Sequence, residues 1–173
     1  MKKNALQVLL SADELAARVK SLGQEISRDY QGQELVIISV LRGAFVFTAD
    51  LIRQIEISLS VEFIGVSSYS GMHSSGQVRI SNDLSCEIKG KHVLLIEDII
   101  DTGKTMDFLL DLLKLREPKS VKICALLSKP EVHAMRHAID YVGFELGNEF
   151  VVGYCLDYDG AYRELPFLAQ LKL

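Results

Sequence analysis

Two segments, ELVIISVL (Glu34–Leu41) and HVLLI (His92–Ile96), are nearly continuous apolar runs of strand length. A strand with one wet face alternates apolar and polar residues; a strand without alternation is covered on both faces, as in parallel sheets flanked by helices. Helical periodicity surrounds these runs. Ser11-Ala12-Asp13-Glu14 has the form of a capping box, and Leu15, Val19, Leu22 and Ile26 follow at helical spacing to about Tyr30. GAFVFTADLIRQI (Gly43–Ile55) and the stretch from about Gly103 to Arg116, stopped before Pro118, read as further helices. Val61–Tyr69, Val121–Leu127, Tyr141–Leu146 and Phe150–Cys155 read as strands, and Ser70–Gln77 reads as a mobile Gly/Ser loop. Strands alternating with helices imply βαβ units, so the expected class is α/β with a mostly parallel sheet.

The length of 173 residues suits one domain, 1–173, and a chain of this size buries about 70% of its unfolded surface. With 49% apolar residues the core can be supplied. Nineteen basic against 23 acidic side chains leave a formal charge of −4, which opposes a nucleic-acid-tracking or membrane-hugging surface. Cys86, Cys124 and Cys155 are odd in number, widely spaced and free of any C-x-x-C, as expected of reduced thiols. The apolar stretch after Lys2-Lys3 is broken at Gln7 and ends at Asp13-Glu14, too short for a signal peptide. No run approaches the length of a membrane span. The expected setting is cytoplasmic.

The chemistry concentrates in VLLIEDIIDTGKT (Val93–Thr105). A buried strand should end at Ile96, leaving Glu97, Asp98 and Asp101 in the turn before a helix opened by Thr102-Gly103-Lys104-Thr105. Ligands of open α/β sheets bind beyond the carboxyl ends of strands, where this turn falls. The helix start offers free N–H groups, the positive end of a dipole and two hydroxyls, a cradle for one phosphate. A Walker A loop would need glycine at position 98, where this chain has aspartate, and three carboxylates would repel a triphosphate. Carboxylates here suit sugar hydroxyls, or a hard cation such as Mg²⁺ held directly or through water. A phospho-receiver reading fails on the order of its parts, since no aspartate follows a strand between Asp98 and Lys129-Pro130.

The segment resembles the phosphoribosyl pyrophosphate (PRPP) motif of the type I phosphoribosyltransferases, and the chain is similar, from about Leu35 to Leu165, to the 6-oxopurine (hypoxanthine-guanine) members. VLRGAFVF (Val40–Phe47) resembles their pyrophosphate loop, SSYSG (Ser67–Gly71) the flexible loop, LLSKP (Leu126–Pro130) the base-recognising segment, and FVVGYCLDYDGAYRELP (Phe150–Pro166) the purine-binding segment. The resemblance implies the type I fold, with helices flanking the sheet and a small hood built from the chain ends. It implies that Glu97 and Asp98 hold ribose hydroxyls and, through water, Mg²⁺. Asp101 would accept the proton of the purine, and Ile100 would line the ribose-phosphate site. Thr102, Gly103, Lys104 and Thr105 would bind the 5′-phosphate. Leu41, Arg42, Gly43 and Arg163 would meet pyrophosphate, with a cis peptide between Leu41 and Arg42. Lys129 would donate to the 6-oxo group, Phe150 would stack on the ring and the Val151 backbone would read its edge. Asp157 would sit by a second metal and the base, and Ser68 and Tyr69 would form the hinge side of a lid. Arg42 departs from the lysine of many members; it keeps the charge and adds a fork for phosphate oxygens.

The implied reaction is displacement of pyrophosphate from PRPP by hypoxanthine or guanine, with PRPP and a 6-oxopurine as ligands and a homodimer or homotetramer as the working form. Without the resemblance, Phe150 would count as an ordinary core residue and Arg163 as a solvated charge. His133 and His137, spaced i, i+4 without a third ligand, read as helix-surface residues. A PRPP-sensing regulator would keep the fold, but the −4 charge and the combination of Asp101, Lys129 and Phe150 oppose it. Transfer to another base, such as xanthine, is the nearer alternative, and Lys129 as a donor disfavours adenine.

Overall fold

In the computed structural model, residues 6–68, 78–132 and 134–172 are described. They form β1 (Leu6–Leu10), α1 (Ala12–Asp29), β2 (Leu35–Leu41), α2 (Phe45–Ile52), β3 (Leu59–Ser68), β4 (Val78–Asn82), β5 (His92–Ile100), α3 (Lys104–Lys114), β6 (Ser120–Ser128), β7 (Tyr141–Glu145), β8 (Val151–Val152) and β9 (Leu168–Leu171). The main sheet has the order β4-β3-β2-β5-β6-β7 and is parallel except for β4, which pairs antiparallel to β3 at one edge. This is the type I phosphoribosyltransferase arrangement of a mostly parallel sheet with flanking helices and a separate small sheet.

The two apolar runs behave as their lack of alternation requires. Leu35 and Ile37 of β2 and Leu94 and Ile96 of β5 enter one core with Leu15, Leu22 and Ile26 of α1 and Phe47 and Leu51 of α2. Val36, Ile38, Val93 and Leu95 enter the opposite core with Met106, Leu109 and Leu113 of α3. Ser39, the one polar residue inside the β2 run, is fully buried and shares a hydrogen bond of 2.8 Å with buried Thr48 of α2. An unpaired hydroxyl there would cost about 1–3 kcal/mol. The capping box at Ser11 is formed: its hydroxyl accepts from the Glu14 N–H, while the Ser11 N–H donates to the Glu14 carboxylate at 2.8 Å.

The chain ends make the hood, a three-stranded antiparallel sheet of order β1-β9-β8. Local sequence misjudged this part. The strand expected over Phe150–Cys155 is only two residues long, because Gly153, Tyr154 and Cys155 all take positive φ (100°, 45° and 82°) and turn the chain out of extension. β1 and β9 are short strands that stabilise each other from opposite ends of the chain, Leu6 lying opposite Leu171; β4, in the main sheet, is a short strand paired with the preceding β3.

β2 and β5 are neighbours whose chains continue to opposite sides of the sheet, β2 to β3 and β5 to β6. Their carboxyl ends therefore flank a topological switch point, the place where open α/β sheets leave a crevice for ligands.

Candidate active site

β5 does not stop at Ile96. It continues through Ile100, pairing Glu97 with Ala125, Ile99 with Leu127 and Ile100 with Ser128 of β6. On its other side β2 pairs with it only as far as Ser39 opposite Ile96. Glu97 and Asp98 thus lie on a strand extension rather than in a turn, supported from β6 and open toward the departing β2. The expected turn shrinks to Asp101–Gly103. The Leu41–Arg42 peptide is cis, and Gly43 beyond it crosses so close that a Cβ there would overlap the Asp98 carboxylate. Glycine is therefore required at 43 by close approach, not by backbone angle.

Two adjoining cavities occupy the crevice. The first, about 300 Å³, is lined by Gly43, Asp98, Lys129, Phe150, Asp157 and Arg163 together with Val151, Leu156, Ile99 and Asp101. The second, about 220 Å³, is lined by Leu41, Glu97, Ile100, Thr102, Gly103 and Thr105, again with Ile99 and Asp101. Asp101 and Ile99 face both. The first cavity has the character of a planar-ring site. Phe150 is 43% exposed, held edge-to-face by Tyr158 at 5.6 Å rather than sunk in the core. Lys129 follows β6, and its N–H donates to the Ile100 carbonyl (3.0 Å), fixing the lysine beside the acidic strand. The second cavity has the character of an anion site: Gly103 caps α3 at φ 80° and offers no side-chain capping bond, so among the described residues the N–H groups of the helix start are not taken by a capping side chain.

The electrostatics sort the carboxylates. Burial, followed by the neighbouring charge of Asp98, pushes the Glu97 carboxyl well above the ordinary carboxylate range. Asp98 is half-buried and accepts the Ile99 N–H at 2.8 Å. Asp101 is exposed. Across the first cavity, Arg163 pairs with Asp157 at 2.6 Å and donates to the Cys155 carbonyl, while Asp157 also accepts the Gly160 N–H at 2.8 Å. Burial pushes the Cys155 thiol up. That thiol donates to the Arg42 carbonyl at 3.5 Å, joining the hood to the pyrophosphate-type loop.

The structure thus gathers most of the residues anticipated from sequence. Arg42 and Lys104 are exposed and line neither cavity. Tyr69 and the rest of the expected lid through Gln77 fall outside the described residues, and of Ser68 only its place at the end of β3 is described. Glu97, Asp98 and Asp157 do not close into one cluster; among the described residues no three His, Cys, Asp or Glu side chains converge as a metal cage. Sequence reasoning missed Ile99, Leu156, Val40, Val66 and Met106 as lining residues. As apolar residues they carry no local signal separating a ligand wall from core.

The phosphoribosyl transferase domain family model matches residues 8–159. The chain is 45% identical to the hypoxanthine phosphoribosyltransferase of Haemophilus influenzae, over 100% of this chain and 99% of that one. Among solved structures it is similar to a hypoxanthine-guanine phosphoribosyltransferase of Bacillus anthracis (TM-score 0.90, 43% identity, covering 97% and 99% of the two chains). It is equally similar to the hypoxanthine phosphoribosyltransferase of Trypanosoma cruzi in complex with the product IMP (TM-score 0.90, 41% identity, covering 99% and 96%). The chain belongs to the phosphoribosyl transferase family and, within it, to the hypoxanthine phosphoribosyltransferases.

Proposed function

We propose that this chain, acting as a single phosphoribosyltransferase domain, moves the 5-phosphoribosyl group from PRPP to hypoxanthine or guanine, releasing pyrophosphate and forming IMP or GMP. The observation that carries the reading is the position of Asp101. It borders both a cavity with a lysine and an exposed aromatic ring and a cavity at an uncapped helix start. A base in the first and a ribose phosphate in the second meet beside its carboxylate.

In the reaction the bond from the sugar's anomeric carbon to pyrophosphate weakens first, so positive charge develops on the ribose, as in glycoside chemistry. A ring nitrogen of the purine then bonds to that carbon, and the proton it loses passes to Asp101, a transfer contributing about 10²–10⁴-fold. Lys129 donates to the 6-oxo group, Phe150 stacks on the ring, and the Val151 backbone reads its edge. Glu97 and Asp98 hold the ribose hydroxyls, with Ile100 beneath; Thr102, Gly103, Lys104 and Thr105 hold the 5′-phosphate. Leu41, Arg42 and Gly43 present the pyrophosphate loop, and Arg163 offsets charge on the leaving group.

The donor set fits Mg²⁺. Glu97 is a buried carboxyl whose charged form has no cation beside it among the described residues, Asp98 is its neighbour, and Asp157 offers a third hard oxygen group across the cavity. Few protein ligands, completed by water and substrate oxygens, is the usual magnesium arrangement. When bound, the ion supplies charge neutralisation for pyrophosphate. No described helix is long and apolar enough to cross a membrane, and all three cysteines are free, which supports the cytoplasm as the place of work. Phe45, 47% exposed beside a mainly apolar groove of about 640 Å³ shared by α1, α2 and the hood, supports a homodimer or homotetramer.

The test is absorbance on mixing PRPP and Mg²⁺ with hypoxanthine, guanine and xanthine side by side. Turnover of hypoxanthine or guanine above xanthine is expected. Absence of turnover with all three, or a preference for xanthine, overturns the reading.

A further inference from the structure

The helix whose start forms the second cavity carries an acid in its own first turn. The Asp107 N–H bonds to the Gly103 carbonyl at 3.0 Å, placing its carboxylate one turn from the uncapped end. A first-turn aspartate stabilises a bare helix through the dipole, but it opposes an anion bound at the same end. The segment after Lys129 resolves this conflict. Met135 lies against Gly103, where a Cβ would overlap it, and the Ala134 N–H reaches the Thr102 carbonyl at 3.4 Å. The next two residues close on Asp107. The Arg136 N–H donates to both carboxylate oxygens (3.2 and 3.3 Å), and its guanidinium Nε stands 3.4 Å away. His137 Nδ1 is 3.2 Å from the same carboxylate. Lys114 Nζ is 2.6 Å from His137 Nε2, and Arg136 also pairs with Asp111 at 2.6 Å. The Asp107 side chain is left 15% exposed. Burial pushes its carboxyl up, and the hydrogen bonds from His137 and Arg136 outweigh that effect and hold it below the ordinary range.

We propose that Arg136 is a positioning residue for the 5′-phosphate subsite, covering Asp107 so that this carboxylate does not oppose a phosphate held at the start of α3. The inference rests on the assignment of Thr102–Thr105 to that phosphate. Its signature is non-additivity. Asp107 is silent while the Arg136 guanidinium adds its positive charge to the backbone N–H and His137 contacts, and acts on the phosphate once that charge is gone.

IMP binding to the full chain by calorimetry, with inosine as the phosphate-free control, tests it. Arg136→Ala weakens IMP binding roughly two- to fivefold, the scale of one charge at a helix end, and leaves inosine unchanged. Arg136→Gln, which keeps a polar side chain without the charge, shows the same weakening and guards against loss of folding. Asp107→Asn leaves IMP binding within about twofold in the wild-type background, yet restores it in the Arg136→Ala background. Additive effects, or Arg136→Ala and Arg136→Gln without effect on IMP, overturn the proposal. Thr105→Ala separates the two levels. If it spares IMP binding, the phosphate assignment itself fails; if it weakens binding while the Arg136 variants do not, only the role of Arg136 fails.

Discussion

Phe150 offers a perturbation whose two consequences can be separated. The ring is 43% exposed at the wall of the first cavity and touches Tyr158 edge-to-face at 5.6 Å. A fully buried phenylalanine removes about 150–250 Å² from water. A little over half of that, at about 25 cal/mol per Å², makes Phe150→Ala cost roughly 2–3 kcal/mol of stability, with about 0.5–1.5 more for the aromatic pair. That loss says nothing about function. Phe150→Leu keeps most of the buried area and loses the flat face. A base stacked on the ring is worth about 1–3 kcal/mol, so Phe150→Leu should raise KM for hypoxanthine roughly 5- to 150-fold. KM for PRPP should stay within about twofold, since Phe150 lines only the first cavity. Steady-state kinetics with each substrate varied in turn, alongside thermal melts of both variants, would read this out. A Phe150→Leu enzyme with unchanged hypoxanthine KM would refute the stacking role, and a rise in PRPP KM of the same size would mean the ring supports the site as a whole.

Other consequences follow from the same geometry. Asp101→Asn keeps the shape of the junction and removes the proton acceptor, so kcat should fall about 10²–10⁴-fold while PRPP binding by calorimetry changes little; equal turnover would exclude the role. Gly43→Ala places a methyl on the Asp98 carboxylate, and overpacking of about 1–3 kcal/mol should raise KM for PRPP roughly tenfold or more; a wild-type value would mean that the loop yields freely. His92 lies far from the site, at the opposite end of β5, hydrogen-bonded to Ser120 at 2.7 Å. Burial, then the charges of Lys119 and Lys122, hold its imidazole below the ordinary value. Its contribution to stability is therefore full above about pH 6.5 and is lost as pH falls through the depressed folded value. His92→Phe, which preserves the edge contact with Tyr30, should flatten the decline of Tm between pH 7.5 and 5; an unchanged slope would remove His92 from the account.

The legible parts of the fold were those in which near neighbours along the chain decide the outcome. The Ser11 cap and the α1 stripe need only residues within a few turns of one another, and β2 and β5 announce their two-sided burial by lacking alternation. The hood was not legible from local pattern. β8 is a two-residue strand and β1 pairs with the far end of the chain, so neither carries enough periodicity to be read alone. Within the site, charged residues and the glycine-led helix start were visible because their chemistry is unusual at the end of a buried strand. Ile99 and Leu156 were not, because an apolar side chain facing a ligand looks the same in sequence as one facing the core.

By itself the sequence determined that the chain is an α/β protein with an acidic strand end leading into a glycine-led helix start, and its separated motifs identified the family. Those features are local, arising from side-chain chemistry, backbone N–H groups and spacing along one segment. The tertiary structure decided that β5 runs on to Ile100, that Gly43 must lack a side chain because Asp98 lies against it, and that Asp101 faces both cavities. It also turned His137, read as a helix-surface residue, onto Asp107 together with Arg136. These are relations between segments thirty to a hundred residues apart, set when the sheet and its crossovers close, and no stretch of sequence contains them.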